Sequence, residues 1–251
     1  MLPPFLALLA VNAARAEDPS DTAAEPVYPS SPPTSIDDAE TVEKGHCEVN
    51  LTAGFSGNAK SWEAEAPLVD ANLGLTDNIH VNAEIPYVVS GEGGAVSTGL
   101  GRGALAVKVR VLHLDRMQLA FHPAVEFPPI PAVSVEAHGS ASFTLPVVLD
   151  FAVGDRGAGV GVQLSHTFTG RWANDGWGAA VGFATPLDDS SALMFDYTQE
   201  ATANLAFGEG WFEVGYVHEN LFGSEHLTLL SSLGRSTQDN TAALLGIQVS
   251  I

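Results

Sequence analysis

From Cys47 to Ile251, apolar and polar side chains alternate with a two-residue rhythm, and no other property of the chain constrains its fold as tightly. In Ile79-His80-Val81-Asn82-Ala83-Glu84-Ile85-Pro86-Tyr87 the large apolar residues share one face of an extended strand, and His80, Asn82 and Glu84 share the other. Mean hydropathy is +0.14 although the formal net charge is -20. No apolar run reaches the roughly 18 to 20 residues that a membrane-spanning helix needs. Apolar faces of this kind can meet lipid only on a closed sheet, because only helices and closed barrels satisfy every backbone group there. The expectation is an all-β protein: a single-chain, antiparallel, up-and-down transmembrane β-barrel of about twelve strands, apolar outside and polar inside.

Three segments follow from composition. Residues 1–16 read as a secretory signal, with the apolar core Phe5-Leu6-Ala7-Leu8-Leu9-Ala10-Val11 and an A-x-A site at Ala14-Arg15-Ala16, so cleavage is predicted after Ala16. Residues 17–46, rich in Pro, Ser and carboxylates, read as a disordered periplasmic leader. Residues 47–251 form the barrel, placed in the bacterial outer membrane with lipid as its surroundings and small-molecule solutes as its partners. The single cysteine, Cys47, excludes an intramolecular disulfide. The acidic balance excludes nucleic acid, whose phosphates need Lys and Arg. The oligomeric state is left open.

Strands are predicted at 47–55, 68–75, 79–89, 103–113, 117–127, 142–153, 158–168, 176–185, 192–199, 210–218, 226–234 and 241–251. Short turns at 76–78, 114–116, 154–157 and 186–190 alternate with longer connections at 90–102, 128–140 and 199–209, the asymmetry of outer-membrane barrels. Two places resist the pattern. Glu63 and Glu65 share the parity of Val69 and Leu73, so either Pro67 marks a bulge that resets it or that stretch stands above the membrane. His166 shares the parity of Val162 and Leu164 and is expected at the membrane interface.

Strand parity points Asp70, His80, Asn82, Glu84, Lys108, Arg110, Gln118, His122, Glu126, Asp150, Gln163, Asp196 and Glu213 into the lumen, with Glu48 beside them. Carboxylates outnumber cations there, so Lys108 and Arg110 are expected to neutralise part of the cluster. Such a lining suits either a cation-favouring pathway or a plugged, hydrogen-bonded interior, which a barrel this narrow can fill with side chains. No catalytic residues, metal ligands or cofactor are predicted. Ser165 and His166 are adjacent, hence on opposite faces, and cannot act as nucleophile and base. Metal ligation by His80 and His122 lacks a spacing signature. The leading function is a transporter or channel for small compounds. The alternatives are a non-conducting structural or binding barrel that works through its outer loops and an outer-membrane esterase or phospholipase.

The order of motifs resembles the outer-membrane β-barrel transporter family named for a MetA pathway of phenol degradation. The residues that carry the resemblance are Glu43-Lys44-Gly45-His46-Cys47-Glu48-Val49, the hairpin Ala71-Asn72-Leu73-Gly74-Leu75-Thr76-Asp77-Asn78-Ile79, the strand Ala83-Glu84-Ile85-Pro86-Tyr87 and the entry Gly99-Leu100-Gly101-Arg102-Gly103-Ala104-Leu105-Ala106-Val107-Lys108. It covers roughly residues 43–251. Arg102 departs from the acidic residue usual at its position, and Ile251 stands where barrel proteins often end in an aromatic. The resemblance implies a single-chain barrel passing small, hydrophobic or aromatic compounds.

Overall fold

The structure, a computed structural model, describes residues 33–128, 140–154, 157–170 and 175–251. Among these are fourteen strands: β1 (Cys47–Gly57), β2 (Ser61–Thr76), β3 (Ile79–Glu92), β4 (Ala95–Leu100), β5 (Gly103–Leu114), β6 (Met117–Phe121), β7 (Ala124–Phe127), β8 (Ser142–Val153), β9 (Ala158–Phe168), β10 (Gly176–Asp188), β11 (Ser191–Thr202), β12 (Phe207–His218), β13 (Leu227–Ser236) and β14 (Thr241–Ser250). Each pairs antiparallel with its neighbours, and β1 pairs with β14 from Glu48↔Ser250 to Gly57↔Thr241, which closes the sheet. β4 and β5 both lie against β3, and β6 and β7 both lie between β5 and β8. Each of these pairs is one wall strand with a break. The barrel is therefore twelve-stranded, as the alternation predicts. The second break falls at His122-Pro123, where proline has no N–H for the ladder.

The greasy side of the wall is outside. Ile85 is 57% exposed, Leu245 60% and Leu233 67%, whereas inward-facing Asn72, His80, Lys108, Gln118 and Asp150 are buried. This inverts the usual distribution of a soluble protein.

Connections are shorter than expected. The stretch 90–102 is mostly strand: β3 continues to Glu92, and Gly93 (φ +56°) and Gly94 (φ +89°) turn the chain into β4. Two successive residues with positive φ make the tight hairpin turn whose twist matches its strands. Likewise β11 runs to Thr202 and β12 starts at Phe207, so only four residues remain of 199–209. Most of 128–140 lies outside the described residues. The anomaly at Glu63 and Glu65 resolves as a bulge: Thr52 pairs with Leu68 but Gly54 pairs with Glu65, so Ala66-Pro67 resets the parity. Both glutamates line an interior recess with Ser56 and Glu213.

The leader requires a correction. Its last part, 33–46, runs through the barrel from mid-lumen to the turn at Asp77-Asn78, with Ile36, Asp38, Ala39 and Val42 buried. The only apolar clusters inside the barrel, among the described residues, form around it: Ile36 with Ala180, Ala184, Met194, Val217 and Leu230, and Ala39 with Ala120 and Val148. The signal and 17–32 lie outside the described residues.

Candidate functional site

A chain crossing a lumen without strand partners must still satisfy its buried N–H groups. The wall does this with one acceptor after another. Ser35 N donates to Glu213 Oε2 at 2.9 Å, Asp37 N to Gln163 Oε1 at 2.8 Å, Ala39 N to Asp150 Oδ2 at 2.6 Å and Val42 N to His80 Nδ1 at 3.1 Å. The acceptors come from β12, β9, β8 and β3, so the segment is held from several sides. At its exit Thr41 Oγ1 donates to Asp77 O at 2.8 Å and Gly45 N to Gly74 O at 2.9 Å. A Cβ on Gly74 would lie 1.9 Å from Glu43 O and 2.5 Å from Val42 O, so only glycine lets the two backbones approach.

Charge fixes the middle of the segment. Lys108 Nζ donates to Asp37 Oδ1 at 2.8 Å and to Asp38 Oδ1 at 3.3 Å, and His122 Nδ1 meets the other Asp37 oxygen. The Lys108 side chain is 4% exposed and that of Asp38 2%. Burial alone would raise Asp37, but Lys108 and His122 hold its carboxyl well below the usual carboxylate range. Burial pushes Asp38 up to about 6 against the pull of Lys108, with the Asp37 charge adding to the rise.

Six of the residues that parity points inward thus contact the luminal segment: His80, Lys108, His122, Asp150, Gln163 and Glu213. Asp196 also faces the segment, beside Thr34 and Ile36; the others sit apart from it. Asp70 accepts amide hydrogens from Asn50, Asn72 and Asn82, and it faces Glu84 directly across β2 and β3. Arg110 donates to Gln118 Oε1 at 3.2 Å and to Asp77 O at 2.7 Å, near the turn. Glu126 accepts from Arg102 Nε at 2.9 Å and from Ser142 Oγ at 3.0 Å, which gives the atypical Arg102 a local partner. Asp196 is buried opposite Glu213. Sequence reasoning missed Ser35, Asp37 and Asp38. The trace they leave is faint: Ile36, Ala39 and Val42 are the apolar residues of an otherwise polar stretch, three positions apart.

The segment does not fill the lumen. A space of about 330 Å3 separates it from β1, β2, β3 and β5, and another of about 380 Å3 lies toward β9–β12 beside Ser35, Gln163, Thr198 and Trp211. Among the described residues no three His, Cys, Asp or Glu side chains converge as metal ligands. His166 lies between the rings of Phe168 and Trp177, at centroid distances of 4.3 and 4.4 Å. A separate Ser–His contact, Ser191 Oγ to His218 Nδ1 at 2.9 Å, belongs to a local network in which Tyr216 Oη donates to the same serine at 3.4 Å.

No family model and no curated protein sequence matches the chain, so the resemblance to the phenol-degradation family rests on the hairpin motifs quoted above. Solved structures share the fold. An outer membrane channel from Pseudomonas putida F1 is 12% identical with a TM-score of 0.67, the match covering 87% of this chain and 100% of that one. The KdgM porin in complex with disordered oligogalacturonate is 8% identical with a TM-score of 0.59, over 81% and 99% of the two chains. The NanC porin is 7% identical with a TM-score of 0.59, over 80% and 98%.

Proposed function

We propose that the protein is a channel of the bacterial outer membrane, exported by its signal and cleaved after Ala16, which admits small compounds through a lumen that its own N-terminal segment narrows. The observation that carries this reading is the inverted wall: an apolar exterior around a polar interior that still contains spaces of about 330 and 380 Å3. The shared fold with outer-membrane channels and porins supports it. The lining holds more carboxylates than cations, and the sole lysine on it is engaged by Asp37 and Asp38, so cations should pass in preference to anions. The resemblance noted above adds hydrophobic or aromatic compounds as candidate solutes.

The test is conductance in planar bilayers together with liposome swelling, on the full chain and on Asp37→Ala/Asp38→Ala, which removes both anchors of the segment. The wild type should conduct weakly with cation selectivity, and the double variant should conduct more. If neither conducts nor admits a solute, the barrel is structural and the channel reading fails.

A further inference from the structure

The space of about 380 Å3 toward β9–β12 is lined by residues that the strand register sets side by side. Gln163 on β9 pairs with Ala180 on β10, Ala180 with Thr198 on β11, and Thr198 with Trp211 on β12. Two residues along, Ser165 pairs with Gly178, where a Cβ would lie 2.4 Å from the Ser165 Oγ. Trp211 belongs to the inner face. It shares the parity of Glu213, which accepts the Ser35 N–H, while its neighbour Phe212 is 61% exposed on the outer face. Ala180 and Gly178 therefore leave a recess about 10 Å broad, two strand spacings, with an amide on one side and a hydroxyl and an indole on the other.

The polar groups of the recess have capacity to spare. Gln163 Oε1 accepts the Asp37 N–H at 2.8 Å, which fixes the orientation of the amide and leaves its NH2 as a donor. Ser165, Thr198 and Trp211 are half-buried, and among the described residues their side chains take part in no hydrogen bond. Their polar atoms are open to the cavity rather than sealed in the wall, in contrast to the two carboxylate oxygens of Asp196. No other ring among the described residues stacks on the Trp211 indole. No Lys or Arg lines the recess, and its two carboxylates are not gathered: Glu213 is tied to Ser35 and Glu200 is exposed. A solute that settles here has to offer an apolar face to the indole and hydrogen-bonding groups to the amide and hydroxyls, because displaced water must be replaced in kind.

We propose that this recess binds a neutral pyranose sugar, with one C–H face of the ring on Trp211 and its hydroxyls on Gln163, Ser165 and Thr198. A pyranose chair carries hydroxyls around its rim and C–H bonds on its faces, so it meets both demands at once. A flat aromatic would stack on the indole and leave the amide and hydroxyls unserved. An open-chain polyol has the hydroxyls and no flat face. A sugar acid would bring its carboxylate to Glu200 and Glu213 with no cation between them. The volume, near the lower end of ligand pockets, suits one or two sugar rings. This rests on the channel reading and deepens it by naming a solute class, but binding is measured without any conductance.

The experiment titrates methyl β-glucoside, sorbitol, methyl β-glucuronide and phenol by saturation-transfer NMR against the full chain folded in lauryldimethylamine oxide, a detergent without a sugar headgroup. The glucoside should bind roughly three- to tenfold tighter than sorbitol, the scale of one aromatic contact, and tighter than phenol, and the glucuronide should not bind. Trp211→Leu should cut glucoside affinity roughly three- to tenfold, and Trp211→Phe, which keeps a ring, should cut it less. The isosteric Thr198→Val, with a loss of the same order from one hydrogen bond, is the second variant should Trp211→Leu not fold. Trp177→Leu, the same change on the outer face, should leave binding as it is. Glucoside binding no tighter than sorbitol, phenol binding tighter than the glucoside, or Trp177→Leu as harmful as Trp211→Leu overturns the proposal. Glucoside binding without conductance or solute entry would refute the channel and keep the site; conductance without glucoside binding would do the reverse.

Discussion

Replacing Lys108 by methionine keeps the length of the side chain and removes the cation that buried Asp38 and partly buried Asp37 share. In the native arrangement its Nζ is 2.8 Å from Asp37 and 3.3 Å from Asp38, with 4% of the side chain exposed. Taking one partner from a buried ion pair leaves charge uncompensated and costs about 3 to 5 kcal/mol. Asp37 keeps His122, and Asp38 can take up a proton, so the lower end, about 3 kcal/mol, applies here. The wall does not depend on the segment for its ladder, so the cost falls on docking rather than on closure of the barrel. A cost of about 3 kcal/mol corresponds to roughly a hundredfold rise in the undocked population. Ala39, wholly buried against Ala120 and Val148, is the reporter. In a Cys47→Ser background, Ala39→Cys should react with a membrane-impermeant maleimide roughly a hundredfold faster once Lys108→Met is added. Adding Asp37→Asn and Asp38→Asn to Lys108→Met should recover most of the protection. Labelling within twofold of the Lys108 parent would mean that the salt bridges do not hold the segment, and the reasoning would be wrong.

Docking should also respond to pH in two opposed ways. Asp38 rises from 3.8 to about 6 when docked, so its contribution is complete below about 4 and is lost as pH climbs through 6. Asp37 is lowered, so its contribution is present above the ordinary carboxylate range and is lost on strong acidification. Protection of Ala39→Cys, normalised to an exposed Lys60→Cys, should therefore be greatest near pH 4 and decline as pH rises toward about 6; a profile rising monotonically to pH 8 would contradict this assignment. On the outside of the wall, Leu245→Arg should destabilise the lipid-embedded barrel by about 2 to 4 kcal/mol in urea titrations monitored by heat-modifiable gel migration. An unchanged midpoint would show that this face does not meet hydrocarbon. Gly74→Val, whose Cβ would strike the carbonyl oxygens of Glu43 and Val42, should expose Ala39→Cys to label while leaving the folded gel band in place.

Which side of each strand faces in was legible along the chain, because alternation is a local property of extended backbone. Leu51 and Leu105 are exposed while Asn50 and Lys108 are buried, each placed by its own parity. The turns at Asp77-Asn78 and Asp115-Arg116 were legible for the same reason. The reset at Ala66-Pro67 was readable only as one of two possibilities, since a bulge is settled by the strands on either side. The occupant of the lumen left only the faint trace of Ile36, Ala39 and Val42. Ser35 meets Glu213 across 178 positions and Asp37 meets Gln163 across 126, contacts that depend on a closed wall setting acceptors from β3, β8, β9 and β12 around one axis. A Pro-rich acidic stretch with only three spaced apolar residues reads as solvated by composition. It becomes ordered because the barrel around it supplies buried acceptors and a buried cation, and those exist only once residue 47 has met residue 251.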